Sequence, residues 1–271
     1  MKIGWIGLGH IGTQMVKRAL AGGYRVTAYS RGAGLAEVVA AGAQSCDDYP
    51  ALAAESDILV VCVYSDAQVR AVLFELGVLA ALRSGSVLAI HTTGSPELAR
   101  EIGRRAPKGV DVLDATFSGG PHTVAAGSLS VMLGGAPDAV KRVSPLFATY
   151  ADRIQAVGPL GSAQLLKLLN NLLFATNLKH AAELMKIASD LGFDTPAVAK
   201  VVQSCSGASF AMSLFERAMP ATDALARARP FLEKDVATAV ATAAEMKLAL
   251  GVFAATAEYF SPQRQARDAF H

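Results

Sequence analysis

Residues 2–12, KIGWIGLGHIG, set a Gly-x-Gly-x-x-Gly turn directly between an apolar run and a helical one. No other feature narrows the possible folds as much. Gly7, Gly9 and Gly12 permit a tight turn, a close approach of backbone to a pyrophosphate and a helix N-terminus facing the anion. The three glycines, with Leu8, His10 and Ile11 between them, are therefore the predicted cradle of a dinucleotide. Glycines cluster in many turns, so the triplet alone is weak. Its weight comes from its place, after a strand that begins at residue 2 and at the start of a helix predicted over 11–22.

The first half of the chain keeps to that frame. Apolar, β-rich runs at 24–29 (YRVTAY), 58–63 (ILVVCV), 86–90 (SVLAI) and 110–114 (VDVLD), with a weaker one near 43–46, alternate with helical segments at 33–41, 66–74 and 95–105. Near-continuous apolar strands separated by helices indicate a parallel sheet covered on both faces. Two further strands, 128–135 and 153–158, bracket a helix that opens at Pro137-Asp138. After Gly158-Pro159 no strand pattern survives, and helices are predicted over 162–190, 195–204 and 230–257. The expected fold is α/β: an N-terminal Rossmann-type parallel-sheet domain, residues 1–160, then an all-α C-terminal domain, residues 161–271, entered by a long interdomain helix.

Composition matters mainly for what it excludes. A formal net charge of +2 without any long basic block leaves no electrostatic footprint for nucleic acid or an anionic membrane. The apolar run at the N-terminus is interrupted by His10, Gln14, Lys17 and Arg18, unlike a signal peptide, and no apolar stretch approaches a membrane span. Cys46, Cys62 and Cys205 are odd in number and lack metal-ligand spacing, so they are expected as small, buried, reduced thiols of a cytoplasmic protein. A chain that is 52% hydrophobic and 18% charged is expected to self-associate, as a homodimer or homotetramer.

Three places carry chemistry. The second strand ends in Tyr29-Ser30-Arg31, with no acid before Glu37 to accept from a ribose 2′-hydroxyl. Arg31, beside Ser30, can instead fork onto a 2′-phosphate, which predicts NADP with NAD possible; an ordinary solvated arginine is the alternative. Ser118, Gly119 and Gly120 follow an apolar strand at the carboxyl edge of the sheet. They offer a hydroxyl and exposed backbone N–H groups to a carboxylate, although a tight turn would use the same residues. Lys167 and Asn171 lie four apart on one helix face with Phe174, while Leu165, Leu166, Leu168, Leu169, Leu172 and Leu173 cover most of the rest. Such a helix is expected to be buried, and its lysine either snorkels to the surface or faces a polar cavity.

Taken together, GLGHIGTQM, HTTGSPELAR, DATFSGGPHTVAAGSLSVMLGG, GPLGSAQLLKLLNN and FLEKDVATA occur in an order and spacing that resembles the β-hydroxyacid dehydrogenase family. This is the family of 3-hydroxyisobutyrate dehydrogenase and tartronate semialdehyde reductase, and the likeness spans about residues 1 to 240. The resemblance implies an NADP-preferring oxidoreductase that interconverts a short β-hydroxyacid and its semialdehyde by hydride transfer, without a metal. It implies Lys167 as general acid and base, Ser118, Gly119 and Gly120 on the substrate carboxylate, and Asn171 orienting the substrate. It further places Thr93 and Lys234 beside the cofactor and the cleft, with Val63 on the cofactor side. Three departures stand out. Thr123-Val124, preceded by His122, replaces the usual Gly-Ala and puts bulk beside the carboxylate site. His91 replaces a frequent aspartate; a hydrogen-bonded structural role is expected for His91 and His122, with a proton path as the alternative. The usual Gly-rich ending is absent. Two rival readings are an imine reductase, which generally carries another residue at the lysine position, and a non-catalytic NADP-binding interaction module, against which Lys167 and Asn171 argue.

Overall fold

The computed structural model describes residues 1–30, 32–216 and 221–260. The chain divides into two compact units, Met1–Lys167 and Leu168–His271. The first holds one eight-stranded sheet built from β1 (Lys2–Ile6), β2 (Arg25–Tyr29), β3 (Gln44–Ser45), β4 (Ile58–Val61), β5 (Val87–Ile90), β6 (Asp111–Ser118), β7 (Leu129–Gly134) and β8 (Ala151–Gly158). Their order is β3-β2-β1-β4-β5-β6-β7-β8. The strands from β3 to β6 are all parallel, and so is the pair β7 and β8.

Only the pairing of β6 with β7 is antiparallel. The connection explains it. A parallel return needs a crossover of a dozen or more residues, and the segment 119–128 between these strands holds just the short helix Pro121–Ala125. By contrast, β7 reaches β8 through the helix Pro137–Phe147, long enough to cross over and restore the parallel direction.

Alternation along the strands sorts side chains to two faces. Trp5, Ile58, Val60, Val87 and Ala89 enter one core with Met15, Val16, Leu146 and Phe147. Ile6, Leu59, Val61, Leu88 and Ile90 enter the other with Leu73, Leu98 and Ile102. Both faces are covered by helices, which is why these strands read as unbroken apolar runs rather than alternating ones.

The expected elements differ from the observed ones where short helices occur. Tyr49–Glu55 is a helix that the sequence reading missed, although Asp48 caps it, accepting from the Ala51 N–H at 3.0 Å, and Pro50 follows. The helix expected over 66–74 is α only over Asp66–Arg70 and continues as a π turn over Ala71–Glu75.

The long helix Ser162–Asp190 begins in the first unit and continues into the second. In the second unit its residues Leu172, Ala175, Leu178, Ala181, Ala182 and Met185 pack with Ala199, Met212, Phe215, Leu232, Val236 and Phe260. Their spacing of three and four makes a single buried stripe. The opposite face overturns the expectation of a helix buried all round. Leu166, Leu169, Leu173, Leu184 and Ile187, with Leu191 just past the end, are 41%, 63%, 51%, 38%, 56% and 70% exposed. At 100° per residue these six fall within an arc of about 60°.

The helix expected over 230–257 instead runs Ala221–Glu245, carrying Pro230 inside it. Pro230, at the first position of the expected span, lies well inside the observed helix and gives up one backbone donor there. Lys247, at φ 56°, ends the run, and a separate helix follows at Ala254–Tyr259. Cys62 and Cys46 are half-buried and pack against the two cores of the first unit, whereas Cys205 is exposed, contrary to the expectation of a buried thiol. Among the described residues no helix is long and apolar enough to cross a membrane.

Candidate active site

The glycine turn closes the end of β1. Gly7 has φ +98°, and a Cβ there would run into the Cys62 carbonyl oxygen; a Cβ on Gly12 would meet the Gly7 carbonyl oxygen. Trp5 Nε1 donates to the Gly7 carbonyl at 3.1 Å, and Thr13 Oγ1 donates to that of Leu8 at 3.1 Å, locking the turn from both sides. Gly9 differs from its two partners. A Cβ there would meet nothing within 4 Å, and no side chain caps the start of the helix His10–Ala21. The two glycines that face protein have no room for a side chain, while the third opens to free space beside an uncapped helix N-terminus. That arrangement fits a dinucleotide pyrophosphate against Gly7 to Gly12, with Leu8, His10 and Ile11.

At the end of β2, Tyr29 packs against Tyr49 with ring centroids 3.9 Å apart, and Ser30 Oγ accepts from the Gly32 N–H at 3.2 Å. Arg31 lies outside the described residues. Glu37, the first acid after the strand, is engaged by Lys17 at 2.7 Å, whose hydrogen bond holds its carboxyl below the usual range.

A buried network then ties the segments that follow β4 and β5 to the helix of Lys167. Thr92 Oγ1 accepts from the Val63 N–H at 3.0 Å. Gln164, 2% exposed, donates from Nε2 to the Thr92 carbonyl at 2.8 Å and accepts through Oε1 from the Gly94 N–H at 2.9 Å. One side-chain amide thus brackets Thr93. Asp114 accepts from the Gly161 and Gln164 N–H groups at 2.8 Å each, and Thr116 Oγ1 donates to the Ala163 carbonyl at 3.0 Å. Burial pushes the Asp114 carboxyl up, against the pull of these amides. Lys167, half-buried, comes one turn after Gln164 on the same helix. Neither Gln164 nor Asp114 was singled out from the sequence. The available signals were a glutamine opening a leucine-rich helix and an aspartate within an apolar strand.

Ser118 closes β6 opposite Ser130, and Gly119 follows at φ +131°. Two exposed amides were expected here, but the Gly120 N–H donates to Thr123 Oγ1 at 2.8 Å. The bulk expected from Thr123-Val124 also divides. Val124 is fully buried in the core, and only Thr123 lies on the turn. His122 is exposed. His91 is buried, hydrogen-bonded to the Ala115 carbonyl and, at 2.9 Å, to the Tyr150 hydroxyl, as a structural histidine would be.

In the second unit Asn171 and Lys234 meet through a residue that the sequence reading passed over. Asn171 donates from Nδ2 to Asp235 Oδ2 at 2.5 Å, and Lys234 Nζ donates to Asp235 Oδ1 at 2.6 Å. Asn170 Nδ2 in turn donates to Asn171 Oδ1 at 3.0 Å. Asp235 follows Lys234 directly in FLEKDVATA, so the signal was adjacency to a charged residue already chosen. Among the described residues no group of three His, Cys, Asp or Glu side chains is placed to hold a metal.

A largely parallel sheet with a glycine turn at the end of its first strand, followed by a helical second half, defines a dinucleotide-binding protein of the Rossmann class. Residues 2–158 match the NAD binding domain of 6-phosphogluconate dehydrogenase, and residues 161–269 match a separate family described as the NAD-binding region of NADP-dependent 3-hydroxyisobutyrate dehydrogenase. The chain is 33% identical over 215 residues to 2-(hydroxymethyl)glutarate dehydrogenase of Eubacterium barkeri, covering 78% of this chain and 71% of that one. Its fold is that of Mycobacterium tuberculosis 3-hydroxyisobutyrate dehydrogenase, solved with L-serine, at TM-score 0.84 and 24% identity over 96% of this chain and 92% of the other. It is also similar to Psf3, solved with NADP+ and 2-OPP, at TM-score 0.83 and 28% identity, covering 97% and 94%. The chain belongs to the β-hydroxyacid dehydrogenase family and is an NAD(P)-dependent oxidoreductase of that family.

Proposed function

We propose that the protein interconverts a short β-hydroxyacid and its semialdehyde, prefers NADP, and uses Lys167 as general acid and base. The observation that carries this reading is the Gln164 bridge. It fixes the Thr93 segment and the first turn of the helix bearing Lys167 as one piece. When bound, the nicotinamide supplies a hydride to the carbonyl carbon or accepts one from the carbinol carbon. In reduction Lys167 Nζ gives a proton to the developing alkoxide oxygen; in oxidation it takes the hydroxyl proton. Asn171, held by Asp235, orients the substrate oxygen, and Ser118 Oγ donates to the carboxylate. Gly7 to Gly12, Val63, Thr93 and Lys234 hold the cofactor. Support for NADP comes from the second strand, which ends without an acid, from the pairing of Glu37 with Lys17, and from the NADP in the Psf3 complex.

A homodimer is the proposed assembly, through the open face of the long helix. Leu166 with Leu191 and Leu173 with Leu184 are symmetric about a point between Leu178 and Lys179, and Leu169 with Ile187 nearly so. A stripe that reads alike from both ends complements itself about a two-fold axis. It offers roughly 500–600 Å² of apolar surface per copy, a large part of the about 800 Å² that each partner contributes to a standard interface.

The deciding experiment is Lys167→Met, which keeps the stem and removes the proton donor. The expected result is a kcat loss of at least about 100-fold with NADPH affinity kept. Near-normal turnover would remove Lys167 from the mechanism.

A further inference from the structure

We infer that Thr123 selects the acid in this chain: its hydroxyl, not the Gly120 amide, is the donor that the turn presents to the substrate carboxylate. The inference rests on the reading of Ser118 to Gly120 as the carboxylate site. An amide has one proton, and Gly120 spends it on Thr123 Oγ1 at 2.8 Å. A hydroxyl has two lone pairs and one proton, so with one lone pair engaged the proton is still to be given. Accepting from an amide also polarises the O–H and makes it a better donor.

The threonine is held where it must be to act in this way. A Cβ on Gly119 would lie 2.8 Å from Thr123 Oγ1 and 3.0 Å from its Cβ, so the side chain rests on backbone that only glycine leaves bare. A Cβ on Gly120 would meet nothing within 4 Å, which leaves that side of the turn open to a ligand. Behind it the backbone is pinned. The Val124 N–H reaches the Gly120 carbonyl at 3.1 Å, and the Ser128 N–H reaches the Thr123 carbonyl at 2.9 Å. A β-branched side chain on fixed backbone has little rotamer freedom. The family pattern has glycine at this position, which leaves the amide itself to meet the acid. This chain has exchanged a main-chain donor for a hydroxyl standing about one hydrogen-bond length (~2.8 Å) further out.

The test compares KM for the acid that wild type turns over fastest in a C3 to C5 panel with KM for its methyl ester, at saturating NADPH. Thr123→Val keeps the shape and deletes the proton. It should raise KM for the acid about 10- to 100-fold, the range of one hydrogen bond to a charged group, with kcat, the ester KM and the NADPH Kd each within about two-fold. Thr123→Ser should stay close to wild type. Thr123→Gly, which hands the amide back, should fall between wild type and Thr123→Val. If Thr123→Val leaves KM for the acid unchanged while Gly120→Val raises it, the turn binds the acid and Thr123 merely caps it, which overturns the inference. If Gly120→Val also leaves it unchanged, the carboxylate assignment itself is lost.

Discussion

His91 shows what one buried residue can impose. Nδ1 faces the Ala115 carbonyl, which can only accept, so the ring carries its proton there and Nε2 accepts from the Tyr150 hydroxyl. Trp5, Phe117 and Phe147 surround the neutral imidazole, and burial lowers its pKa to about 4 from an ordinary 6.5. Between those values the unfolded chain takes up a proton that the folded chain refuses. Stability is therefore lost as pH falls from 6.5 to 4, by on the order of 3 kcal/mol. Urea midpoints measured from pH 7 to 4.5 should show the fall, and His91→Gln should flatten it even if that variant starts less stable. An unchanged slope would assign the acid sensitivity to other groups. At this scale the sequence was legible where chemistry follows residue type, as for the glycines of the first turn. It was not legible where a bond crosses between segments: nothing in SGGPHTV says that the threonine closes the second glycine, or in LDATF that the aspartate will cap a helix 47 residues on.

Elements were legible in proportion to how fully they are buried. The central strands β4 and β5 are apolar at every position because both faces of the sheet are covered there, and that pattern survives without coordinates. The short helices at Tyr49–Glu55 and Val78–Ala81 span two turns or fewer, too little for a period to show. In the long helix the leucine count itself misled, because apolar residues all round do not reveal which face its own chain covers. The open stripe makes a prediction for the element. Leu173→Glu with Leu184→Glu places charges at two matched positions and should shift the protein to monomer in sedimentation velocity, with far-UV circular dichroism retained. A second experiment reads the register. Asn177→Cys with His180→Cys flanks the proposed axis and should cross-link two chains under mild oxidation. Absence of that cross-link in a dimer that persists would place the interface elsewhere.

For the whole molecule, ligand linkage offers the cleanest check of cofactor choice. At 100 times its Kd, NADPH should add about 2.7 kcal/mol to the folded state and raise Tm by roughly 5–10 °C. NADH at the same concentration should raise it less, and an equal or larger rise would end the proposed NADP preference. The contacts around Gln164 and Asp114 bear on the order in which the molecule is made. Starting a helix is the costly step, since several residues must be fixed before the first bond repays them. Here the opening turn of Ser162–Asp190 is fixed by Asp114, Thr116, Thr92 and Gly94, all of which leave the ribosome before it. The first half of the protein, once folded, hands the second half a helix already begun.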